Sequence, residues 1–336
     1  MLGLATVGTL AAPAPDGRLV RVLAATDRHA VQPLIDDFER RHADLRVDYI
    51  ELGSLALHER FLLQQDDAPA RADVLWSSAM DLQIKLVNDG HALRHESPHA
   101  AQLPKWAIWK HEAYGTTFEP VGIVVNRQLL AAAEVPRTHA ALTALLLADV
   151  PRWRGRVATY DIERAGLGFL IAAQDAMATP RYWALVQALG RCQASLHTDT
   201  QGMLDSVAAG HTLLACNVLG SYAEVFARAR PELEVVYLQD YTLVVSRVAF
   251  IARTAPNLRG ARLWLDHLLS APGQRLLAEA GGLRGVRTDA GAAATLAPRL
   301  GRAFRPIALG PGLMAHLDQS RRQAFLKRWN QALRPG

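Results

Sequence analysis

Cysteine is scarce in this chain of 336 residues: only Cys192 and Cys216 occur, so at most one bridge is available. They are not expected to form it. Cys192 opens a candidate strand over residues 192–196, Cys216 falls late in one over 213–218, and the intervening residues read as a crossover helix. Parallel neighbours would hold the sulfurs at opposite ends of a sheet, beyond the roughly 7 Å Cα separation that a bridge tolerates. Clustered positive charge is also missing. The net charge is +5, yet no basic block exceeds the pairs Arg40-Arg41 and Arg321-Arg322, which argues against nucleic-acid binding. Beyond the first 16 residues no apolar run approaches the roughly 20 residues that span a bilayer. Catalytic signatures are absent too: G-x-S-x-G, H-E-x-x-H and G-x-x-x-x-G-K-[ST] do not occur, and Gly166-Leu167-Gly168 lacks the third glycine and downstream acid of a dinucleotide site. His91, His95 and His99 are spaced four apart, but Pro98 breaks the helix that would align them, so no metal site, no cofactor and no enzymatic activity are expected.

What is present is ordinary soluble composition, 50% hydrophobic and 21% charged, which excludes disorder, in a chain too long for one core. Residues 1–17 read as a secretory-signal remnant or a disordered tail, with an apolar core and a small-residue end but no basic start. One stretch sets the grammar of the rest: GRVATYDIERAGLGFLIAAQDAM, residues 155–177, is a β-branched strand, a polar loop and a helical pattern. The same order recurs at 19–38, at 47–51 with Ser54 as an expected helix cap, at 73–87 and at 213–230. Repeated strand–loop–helix units make an α/β protein with parallel sheets, whose ligands sit beyond the carboxyl ends of the strands.

Two long extended runs, 118–126 and 241–251, have no helix of their own and are expected to cross between two lobes. The boundaries that follow are 18–120 plus 246–336 for the first lobe, with the C-terminal helices free to pack on either, and 121–245 for the second. The loops after the strands carry the candidate ligand-binding residues: Thr26, Asp27, Arg28 and His29; Ser54; Ser77 and Ser78; Tyr160, Asp161, Arg164, Gly166 and Gly168; Thr200 and Gln201; Asn217, Ser221 and Tyr222. Any one of them also serves as a helix cap or turn former, but together they place unpaired N–H groups and helix amino ends around one cleft, a setting for an anion. Hydroxyls and glycine amides would donate to it, and Arg28 and Arg164 would neutralise it.

The runs Ala72-Asp-Val-Leu-Trp-Ser-Ser78, Gly155-Arg-Val-Ala-Thr-Tyr-Asp161, Asn217-Val-Leu-Gly-Ser-Tyr-Ala223 and Asp240-Tyr-Thr-Leu-Val-Val245, with the Gly166-x-Gly168 helix start, resemble periplasmic solute-binding proteins of ABC transporters. The branch is that of ferric-iron, hexose-phosphate and phosphoglycerate binders. The resemblance implies a two-lobed, type II-like fold with two crossing hinge strands and a ligand in the cleft. It also implies a monomer in the periplasm that serves an ABC permease or a membrane sensor kinase. Ferric binders of this branch use an adjacent tyrosine pair where this chain has Tyr222 followed by Ala223, so an organophosphate such as a sugar phosphate or phosphoglycerate is the expected solute. A ferric ion or chelate is the alternative.

Overall fold

The computed structural model describes residues 17–65, 67, 71–289 and 301–334. The signal-like stretch lies outside them, apart from Gly17. In chain order the strands are β1 Leu19–Ala24, β2 Arg46–Glu51, β3 Val74–Ser77, β4 Ala92–Leu93, β5 Ile108–Trp109, β6 Ala113–Gly115, β7 Glu119–Asn126, β8 Val157–Tyr160, β9 Ser195–His197, β10 Leu214–Leu219, β11 Leu233–Val236, β12 Thr242–Val245, β13 Val248–Ala252 and β14 Phe304–Pro306. The helices are α1 Arg28–Arg41, α2 Ser54–Leu63, α3 Met80–Asn88, α4 His139–Ala148, α5 Val150–Trp153, α6 Gly166–Ala178, α7 Tyr182–Arg191, α8 Thr200–Ala208, α9 Gly220–Arg228, α10 Leu258–Leu269, α11 Ala271–Gly281 and α12 Gln319–Leu333.

These elements form two sheets, each the centre of a lobe. The first runs β2-β1-β3-β13-β6-β5 with β4 beside β13, and the second runs β14-β12-β7-β10-β8-β9 with β11 beside β7. In both sheets the strands that feed helices are parallel, as expected: β1 with β2 and β3, and β8 with β9 and β10. Neither sheet is wholly parallel, however. Strand β13 runs antiparallel to β3, and β7 antiparallel to β10. Both belong to chain segments that arrive from the opposite lobe, and so enter the parallel set from its far end.

The chain crosses between the lobes where β6 gives way to β7, and again between β12 and β13. The extended run 241–251 therefore breaks at Ser246-Arg247, which stitch the crossings together. Thr117 Oγ1 accepts the amide of Arg247 at 2.8 Å, Ser246 Oγ accepts that of Thr117 at 3.2 Å, and Thr116 Oγ1 donates to the Arg247 carbonyl at 2.9 Å.

Local chemistry explains the helix boundaries. Asn257 accepts the Gly260 amide to cap α10, and Ser270 accepts that of Gly273 to start α11. Gly282, at φ +64°, ends α11 in the left-handed conformation. Three expectations are corrected. Ser54 is the first residue of α2 rather than its cap, which is Gly53. Residues 91–95 hold β4 instead of closing a helix, because Leu93 and Ala92 pair with β13. Cys192 lies just past α7, and β8 separates β9 from β10, so the strands carrying the two thiol regions are not neighbours; both thiols are buried and unpaired. Helix α12, left open between the lobes by the sequence, packs on α7.

Candidate functional site

Six strands end at one place. The residues that follow β1, β2 and β3 in the first lobe, and β8, β9 and β10 in the second, line a cavity of about 380 Å³ between the lobes. Thr26, Asp27, Ser54 and Ser78 enter from the first lobe, and Tyr160, Thr200, Gln201 and Tyr222 from the second. Glu51, Leu52 and Gly53 add to the first wall, and Ala165, Leu167, Thr198, Asp199 and Leu219 to the second. Arg247, from the second crossing, joins them.

Helix amino ends dominate this lining. Gly53 before α2, Ala165 before α6 and Leu219 before α9 line the cavity, and none of these three helices has a side-chain cap bond. Their first amides therefore lack the partner that a polar cap residue would supply, and the positive ends of their dipoles face the cavity. The other two helix starts are capped by carboxylates: Glu51 Oε2 accepts the Arg28 amide of α1 at 2.7 Å, and Asp199 Oδ1 accepts the Gly202 amide of α8 at 2.8 Å.

Arg247 is the cation of the site. Its side chain is 1% exposed. One terminal nitrogen donates to the Ala25 carbonyl at 2.8 Å and to Thr26 Oγ1 at 2.7 Å. Nε lies 2.9 Å from Glu119 Oε1, close enough for an ion pair but at an angle that misses hydrogen-bond alignment. Burial, the largest single influence, lowers the pKa of this guanidinium, but the Glu119 carboxylate together with Tyr222 and Tyr49 outweighs it and the shift is upward. Glu119 also accepts from Thr117 Oγ1 at 2.7 Å and from Ser221 Oγ. The pair thus joins the two crossing strands to the start of α9.

Both tyrosines of the cavity are engaged. The hydroxyls of Tyr160 and Thr200 lie 2.5 Å apart, and the charge of Asp27 acts on Tyr222. Burial pushes the ionisation of each phenol upward, and Asp27 adds to the shift at Tyr222.

The remaining candidates lie elsewhere, each for a local reason. The Arg28 guanidinium turns back onto Gln32 and the Tyr49 carbonyl, and His29 is exposed on α1. Ser77 Oγ accepts the Ala79 amide ahead of α3. Asp161 accepts the Glu163 amide as a turn former, and Arg164 is exposed in the same turn. Asn217, at φ +62°, donates to Asp175 beneath the sheet, and Ser221 is taken by Glu119. Gly168 stands behind Tyr160: a Cβ there would lie 2.5 Å from that of the tyrosine.

Gly166 has a different task. A Cβ on it would meet Ser54 Oγ at 2.8 Å and Leu82 Cδ1 at 3.4 Å, so this glycine lets α6 close against the first lobe. A valine there should oppose closure while sparing the separated lobes. We expect Gly166→Val to weaken solute binding by at least about tenfold with the melting temperature of the solute-free protein nearly unchanged. Small-angle scattering that shows full compaction with solute would refute this.

Sequence reasoning overlooked Glu51, Asp199 and Arg247. Glu51 is the last residue of its strand, and Asp199 sits three residues before Gly202 in a capping pattern. Arg247 is a lone arginine inside an apolar extended run, itself a signal of a buried charge with a partner.

A model of the bacterial extracellular solute-binding proteins matches residues 20–282. The chain belongs to this family. Comparison with curated proteins finds no match. Among solved structures, the substrate-binding protein of the ABC transporter from Agrobacterium tumefaciens is 33% identical, with a TM-score of 0.88 over 96% of this chain and 97% of that one. Lower identities accompany the same fold in the apo ferric ion-binding protein A of Pasteurella haemolytica (16%, TM-score 0.74, covering 94% and 98%). The fructose-6-phosphate-bound AfuA of Actinobacillus pleuropneumoniae is alike (17%, TM-score 0.74, covering 94% and 98%). Among the described residues, no helix is long and apolar enough to cross a membrane.

Proposed function

We propose that this solute-binding protein captures a small organophosphate in the interlobe cavity, without chemical change, and delivers it to an ABC permease from the periplasm. One observation carries the reading: the uncapped amino ends of α2, α6 and α9, drawn from both lobes, open on one cavity that also holds Arg247. A phosphate group can accept from all three amide sets at once and from a guanidinium, whereas a neutral solute would leave them unanswered. The family and the Agrobacterium relative support the transport role, and the fructose-6-phosphate complex shows that this fold accommodates such an ester.

Ferric iron is less well served. A tyrosinate ligand would have to form from phenols that burial holds neutral, one already bonded to Thr200 and the other under the charge of Asp27. The test is a thermal-shift and calorimetric series with fructose 6-phosphate, 3-phosphoglycerate, 2-aminoethyl phosphate, inorganic phosphate and ferric citrate. A ligand at 100 times its dissociation constant should add about 2.7 kcal/mol of stability. At least one phosphate ester should do so, and ferric citrate should produce no tyrosinate charge-transfer band. Such a band, with no response to any ester, would reverse the assignment.

A further inference from the structure

The charge in the cavity does not balance for an anion alone. Asp27, Glu51 and Asp199 line it, and none of them is within ion-pair distance of a cationic side chain among the described residues. Arg247 brings one positive charge, already matched by Glu119. Arg28 and Arg164 do not line the cavity, so among the described residues no cationic side chain in its wall pairs with the three carboxylates.

These carboxylates are held in place but not saturated. Glu51 accepts one backbone amide through Oε2, and among the described residues no bond occupies its Oε1. Asp199 accepts the Gly202 amide and the Thr198 hydroxyl, and the charge of Asp27 acts on Tyr222. Each carboxylate offers about four lone-pair directions, so acceptor capacity remains at all three. The same cavity holds donors that find no side-chain partner among the described residues: the amides at the starts of α2, α6 and α9, and the hydroxyl of Ser78, which lines the cavity at 5% exposure.

We propose that the solute is a zwitterion, a phosphate or phosphonate that also bears an ammonium group. Its anionic end meets the uncapped helix starts, Ser78 and Arg247, and its ammonium lies among Asp27, Glu51 and Asp199. This rests on the organophosphate reading and narrows it. A sugar hydroxyl can donate to one of these carboxylates, but only a cation also supplies the positive charge that the cavity wall lacks, and an ammonium carries three donors for three acceptors.

The experiment uses a matched pair on the full chain. Calorimetry with 2-aminoethyl phosphate and 2-hydroxyethyl phosphate compares ligands of nearly equal size that differ in one charged group. The amine should bind at least about tenfold more tightly. In the Asp199→Asn variant, where asparagine can still cap α8, that preference should shrink severalfold. Equal affinities for the two esters in the natural chain, or an unchanged preference in the variant, would overturn the zwitterion while leaving the organophosphate reading intact. Failure of both esters, of fructose 6-phosphate and of 3-phosphoglycerate to bind would overturn that reading and this one with it.

Discussion

Arg247→Ala should lower the stability of the protein by about 3–5 kcal/mol and abolish solute binding. The first effect follows from what the substitution leaves behind. Glu119 is fully buried, and its carboxylate would lose the cation it pairs with among the described residues, while the Ala25 carbonyl and Thr26 Oγ1 lose their donor. Breaking a buried ion pair from one side costs this much because the remaining charge stays desolvated and unpaired. The second effect is separable. In Arg247→Met/Glu119→Gln neither charge remains, the apolar stem of the arginine is replaced, and the glutamine oxygen still accepts from one of the Thr117 and Ser221 hydroxyls while its NH2 can donate to the oxygen of the other. Chemical denaturation should show most of the lost stability restored in the double variant, whereas calorimetry should find anion binding still absent. Wild-type affinity in the double variant would make Arg247 a strut between the crossings and remove it from the solute site.

The example shows which part of this protein its sequence discloses. Strand–loop–helix order was legible because each unit writes its own local signals: β-branched runs, polar breaks and apolar residues at helical spacing. The convergence of strand ends on one cavity followed from that order, since parallel strands direct all their following loops to one edge. Thr26, Asp27, Ser54, Ser78, Tyr160, Thr200, Gln201 and Tyr222 could therefore be named from the sequence, as residues at strand ends or in the loops and first helix turns that follow them. Arginine is harder. Arg28 and Arg164 occupy the right loops but have long side chains, and the position of the backbone does not fix where the guanidinium goes. Arg247 was hidden for the opposite reason. It lies in an extended segment whose burial depends on Glu119, a residue 128 positions earlier in the chain. A contact of that range has no local signature, and the same holds for the antiparallel strands β7 and β13, whose direction is set by the crossing and not by their own residues.

Asp81 supplies the second large effect, and it depends on pH. The residue is 2% exposed in the first turn of α3, which packs against α6 and against residues 311–314. Its Oδ1 accepts the Leu82 amide at 2.9 Å, and the charge of Arg322 on α12 acts on it without forming an ion pair. Burial outweighs both influences and raises its pKa from 3.8 to about 7. A carboxyl whose folded pKa exceeds its unfolded one favours folding in its protonated form. Its contribution is complete below about pH 4 and disappears as pH rises through about 7. Asparagine has nearly the same shape, still accepts from Leu82 and never ionises. Asp81→Asn should therefore match the natural chain at pH 4, gain on it steadily from pH 4 to 7, and exceed it at pH 8 by about 2 kcal/mol, less than a shift of this size would give in a dry interior because water reaches opened sites. Urea denaturation across that range checks the sign. A variant that is equally displaced at every pH would mean that Asp81 ionises as freely in the folded protein as in the unfolded chain.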